Sequence, residues 1–60
     1  MNKRKYLFGV VEKYTNKPLT AIAEAEAYSP HNLVELAKEK WGIKVDGKTN
    51  AIDWIDVTED

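Results

Sequence analysis

Residues 19–29, LTAIAEAEAYS, obey two periodicities at once, and the choice between them decides the fold. Alanine and glutamate favour helices, and Leu19, Ile22, Ala23 and Ala27 recur at helical spacing. Strict alternation competes with that reading. Ala21, Ala23, Ala25 and Ala27 fall on one side of an extended chain, with Thr20, Ile22, Glu24, Glu26 and Tyr28 on the other. A turn precedes the stretch and a helix start follows it, so a strand over 19–28 is expected. Its row of alanines would let a helix approach closely.

Upstream, TNKP at 15–18 supplies the turn through Asn16 and Pro18. Before it, KYLFGVVEKY is rich in aromatic and β-branched residues and predicts a strand over 5–14. Tyr6, Phe8, Val10 and Tyr14 share one parity, and Leu7, Gly9 and Val11 the other, so both faces are apolar.

Downstream, SPHNLVELAKEKWG predicts a helix over 30–41. Ser29 suits the N-cap because its hydroxyl can accept from an unpaired N–H of the first turn. Pro30 fits the first helical position, where its missing N–H costs nothing. Leu33, Val34, Leu36, Ala37 and Trp41 form an apolar stripe. Lys38 and Lys40 suit the negative end of the dipole, and Gly42 supplies the left-handed stop. A short extended piece over 43–45, a turn at Asp46-Gly47 and a last strand over 51–57 follow, with 58–60 expected to fray. The expected architecture is α+β: a small antiparallel sheet of three to four strands, order β-β-α-(β)-β, with one helix on one face. The sequence of EAEAYS, PHNLVELAKEKWG and IDWIDV resembles the element order of small ribosomal or phage-encoded β-β-α-β proteins. The likeness rests on that order and on an A-x-S before the helix, and it assigns no residue.

The last strand, NAIDWIDVTED, does not keep phase. Ile52 and Trp54 take one parity, Ile55 and Val57 the other. Either a bulge near Trp54–Ile55 turns both pairs inward, or the strand has two apolar faces. In the second case a face not covered by the helix should expose Tyr6, Phe8, Ile52 and Trp54, with Tyr28 a further contact. Such patches mark interaction surfaces.

Sixty residues form one domain, with a core small enough that stability is marginal. Small domains are often reinforced by disulfides, a metal or a partner subunit. There is no cysteine and one histidine, His31, so no disulfide, thiolate zinc site or histidine-rich metal site is expected. That leaves self-association. No apolar run approaches a membrane span, and the short apolar patch after MNKRK lacks the length of a secretory leader. A cytoplasmic location, or a host cytoplasm for a phage-encoded chain, is expected. Charge is graded along the chain: +4 over residues 1–17, −2 over 18–42 and −3 over 43–60. The gradient favours the first and last segments lying side by side.

Catalytic chemistry finds little purchase. Gly9, Gly42 and Gly47 are isolated and form no phosphate loop. His31 reads as a solvated helix-start residue. Glu24 and Glu26 would share a strand face and read as solvated charge. Asp46, Lys48 and Asn50 echo the alternation of a calcium loop without its ligand pattern. Neither enzyme activity nor a cofactor is expected. The leading expectation is a non-catalytic interaction module, an adaptor or inhibitor of phage or mobile-element style. It would form a homodimer and bind a further protein. The rival expectation is RNA or single-stranded DNA binding through Lys3, Arg4 and Lys5 beside the aromatics of the first strand.

Overall fold

The computed structural model describes residues 2–59. Three strands form one antiparallel sheet: β1 (Arg4–Glu12), β2 (Ala23–Ala27) and β3 (Asn50–Asp56), in the spatial order β2-β1-β3. Between β2 and β3 come a 3₁₀ turn (Pro30–Asn32) and the helix α1 (Leu33–Trp41), packed on one face of the sheet. The protein is therefore α+β; of the strand expected over 19–28 the chain keeps the alternating part 23–27, and 19–22 is not strand.

β1 sits in the centre because both its parities are apolar. Its even-numbered residues Tyr6, Phe8 and Val10 are buried under α1 with Ala27, Leu33 and Ala37. Ala23 and Ala25 also pack against this cluster, so the alanine row does admit the helix. Trp41, from the last turn of α1, meets the Phe8 ring at 5.3 Å between centroids. Leu36, Ile43, Val45 and Ile52 close the rim of the core.

The β1–β2 connection is more elaborate than a simple hairpin. Asn16 takes a left-handed φ of 58° in the turn, and the Lys17 carbonyl accepts from the Glu12 N–H. Val11 pairs with Pro18, whereas Phe8 pairs with Ala23. Gly9 and Val10 of β1 thus stand opposite the longer stretch 19–22, which bulges. The bulge lies across Gly9: a Cβ there would sit 3.2 Å from both Ile22 Cδ1 and Thr20 Oγ1. Thr20 uses the close approach, since its hydroxyl accepts from the Val10 N–H at 3.1 Å. Ala21 leaves the alanine face as a result and is exposed.

Several local expectations are corrected. Ser29 has the extended backbone of a cap, but its hydroxyl does not bond the backbone of the first turn. It donates instead to Asn32 Oδ1 at 3.3 Å, and the first turn tightens to 3₁₀. The piece 43–45 joins no strand; Ile43 and Val45 simply pack on the core. Thr58 does not fray. Its Oγ1 accepts from the Lys5 N–H at 2.7 Å, and the Lys5 carbonyl accepts from the Val57 N–H. Asp60, also expected to fray, lies outside the described residues. Gly42 ends α1 as expected, at φ 71° with its N–H donating to the Lys38 carbonyl.

Candidate interaction surface

The β1–β3 ladder is unbroken, from Tyr6 opposite Asp56 to Glu12 opposite Asn50. No bulge rotates Trp54 or Ile55, so β3 does carry apolar side chains on both faces. Ile52 and Trp54 share the helix side with Phe8 and Val10; Ile55 lies on the open side opposite Leu7.

This register redistributes the expected contact residues. Tyr6 and Phe8 are 2% and 1% exposed and belong to the core, so they are corrected from patch to interior. Ile52 is half-buried at the core rim. Trp54 remains 47% exposed, outside the cluster in which α1 meets β1, Ala27 and the rim residue Ile52. Its indole meets the Tyr6 ring edge-on, at 5.7 Å and 88°. Tyr28 is exposed at the other margin, with the Lys3 ammonium 5.6 Å from its ring centroid.

Residues passed over in the sequence lie on the open face. Ile55 and Ile22 are 59% and 63% exposed, and Leu7, Val11 and Val57 are half-buried among them. For Leu7, Val11, Ile55 and Val57 the signal was odd parity along the first and last strands, the set on the face away from the helix; Ile22, in the 19–22 connection, carried no such signal. Beside them a shallow groove is lined by Lys3, Lys5, Glu24, Glu26 and Thr58. Glu59 also lines it, so two lysines meet three carboxylates, and Lys5 Nζ lies 3.4 Å from Glu24 Oε1.

The backbone of β3 matters as much as its side chains. The Val57 N–H donates to the Lys5 carbonyl, and the Lys13 N–H to the Thr49 carbonyl. Odd-numbered residues therefore bond inward to β1, which turns the N–H and C=O of Ile52, Trp54 and Asp56 outward. Among the described residues, no backbone bond outside the ladder reaches positions 51–56. The edge closes at Asn50, whose carbonyl accepts from the Gly47 N–H, and beyond Asp56, where the Thr58 N–H donates to Asp56 Oδ1.

The charged candidates are engaged within the chain. Arg4 Nε donates to Asp56 Oδ2, joining the first and last strands as the charge gradient suggested. That bond, reinforced by the Thr58 side chain and N–H, holds the Asp56 carboxyl at about 2, below its ordinary value of 3.8. Asp46 folds its own loop rather than facing a cation. Its Oδ1 accepts from the Thr49 and Lys48 N–H groups and its Oδ2 from the Thr49 hydroxyl. These bonds, the Thr49 N–H foremost, hold its carboxyl well below the usual range. Asn50 spans the same loop, accepting from the Asp46 N–H and donating to the Lys44 carbonyl. Among the described residues, no cluster of three or more histidine or acidic side chains could hold a metal. His31 is exposed in the 3₁₀ turn. No helix among the described residues is long and apolar enough to cross a membrane.

Fold and surface together define a small α+β domain with an open sheet edge. No protein family, curated protein or solved structure matches this chain.

Proposed function

We propose that the protein is a small non-catalytic interaction module, an adaptor or inhibitor that self-associates as a homodimer and binds a further protein. One observation carries the reading: β3 is an edge strand with Trp54 exposed on one face and Ile55 on the other. Exposed apolar side chains on both sides of an unpaired strand suit pairing with another chain. The shallow groove, with lysines and carboxylates interspersed, offers little to a small substrate. Lys3, Arg4 and Lys5 already face a ring or carboxylates within the chain, which also weakens the case for a phosphate-binding strand there.

Sedimentation over a series from micromolar to millimolar concentration tests the proposal, with the mass expected to rise toward about twice 6.9 kDa. Trp54→Ala should return the mass to that of one chain while circular dichroism stays native. A wild-type chain that sediments as a monomer throughout would sink self-association. Salt-sensitive binding to single-stranded RNA, lost on substituting Lys3 and Lys5, would favour a nucleic-acid role instead.

A further inference from the structure

We infer that the second copy joins β3 to β3 in antiparallel fashion, with the two-fold axis at Trp54, making one continuous six-stranded sheet. The inference rests on the self-association proposed above and assigns its register.

Three observations select that register. First, the outward backbone groups belong to Ile52, Trp54 and Asp56, so only these residues can form hydrogen-bonded pairs across the new edge. Second, the edge is open over 52–56 alone, since the Gly47–Asn50 bond closes the strand before it and the Thr58 N–H is taken by Asp56 Oδ1 after it. The middle of that open segment is Trp54, and an axis there gives the longest overlap of two identical segments. Third, the carboxylates rule against one of the two neighbouring registers, while overlap of the open segment disfavours the other. Moving the axis to Asp53 would set two exposed aspartates directly opposite each other, which is destabilising. With the axis at Trp54, Asp53 faces Ile55 of the second copy and Ile52 faces Asp56 of the second copy. No carboxylate then faces another.

In this arrangement Trp54 exchanges both backbone hydrogen bonds with its counterpart, and the two indoles lie side by side beyond the Tyr6 rings. Ile55, exposed on the other face, gains a neighbour across the seam. One seam of five residues is a small interface, of the class that forms transient dimers. The two Asp53 carboxylates come diagonally across the seam, roughly 7–8 Å apart by strand geometry. Added salt should therefore tighten the dimer.

Disulfide trapping reads the register directly, because the chain has no cysteine of its own. Residues 53 and 55 of opposite copies form a non-hydrogen-bonded pair, with Cα atoms about 4.5 Å apart, within disulfide range. Asp53→Cys and Ile55→Cys would be made separately, leaving Trp54 intact, and oxidised alone and as an equimolar mixture. Native circular dichroism is checked for each. The mixture should give a covalent heterodimer several-fold more abundant than the homodimer from either variant alone. Preferential Ile55→Cys homodimer would place the axis one residue along and overturn the register. Wild-type dimers in sedimentation with no trapping at either position would overturn the edge-to-edge arrangement and leave self-association standing. A monomeric wild type would remove both.

Discussion

Phe8 and Trp54 face each other across β1 and β3, yet they differ in what their loss should do. Phe8 is enclosed between Ala23, Trp41 and the helix. Truncating a buried phenylalanine costs ~3–5 kcal/mol. A chain of this length has a total stability of about 3–9 kcal/mol. Phe8→Ala should therefore lose a large part of that stability, as a strongly lowered urea midpoint would show. Trp54→Ala loses the edge contact with Tyr6, roughly 0.5–1.5 kcal/mol, and the partial burial of the indole, but opens no enclosed cavity and should stay folded. Gly9 is the other decisive residue. Its missing side chain makes room for Ile22 and for the Thr20 hydroxyl that takes the Val10 N–H. Gly9→Val should push the bulge off the sheet and cost ~1–3 kcal/mol as overpacking, seen as a lower thermal midpoint.

At the scale of elements, the pairing of first and last strands depends on charge as well as backbone. Arg4 and Asp56 both project on the helix side at the end of the β1–β3 ladder. Because the folded Asp56 carboxyl titrates near 2 rather than 3.8, its bond stabilises the fold fully above about pH 4. The contribution fades as pH falls through about 2. Urea midpoints of wild type and Asp56→Asn should thus differ by a constant amount above pH 4 and converge near pH 2. A gap independent of pH would mean that the bond does not form in solution. Much at this scale was legible: the helix stop at Gly42, the strands in β1, β2 and β3, and the close packing against alanine. Face assignment was less so. Even-numbered β1 residues share a face with odd-numbered β2 residues, and the alanine face is the one that admits a helix. Those facts together put Tyr6 and Phe8 inside. They hold, however, only for a turn of this parity, which depends on Asn16 taking a left-handed backbone. The bulge over Gly9 and the Thr58 latch on Lys5 depend on contacts distant in sequence and left no local pattern.

For the molecule as a whole, the central position of β1 has a kinetic consequence. Its pairing with β2 needs a local turn, whereas β3 arrives after α1 and the loop that follows it. Closing the longer loop costs more chain entropy, so the hairpin and helix should assemble first and β3 dock last. Until then Val10 and Phe8 lack one flank of their enclosure. Contacts that form after the rate-limiting barrier alter the unfolding rate and spare the folding rate. Ile52→Ala, at the core rim on β3, should accelerate unfolding several-fold in stopped-flow experiments while barely slowing refolding. Equal slowing of refolding would place β3 in the folding nucleus instead. Late docking also means that the strand bearing the exposed tryptophan is the one whose amides should exchange with solvent first, the sheet opening from this seam inward.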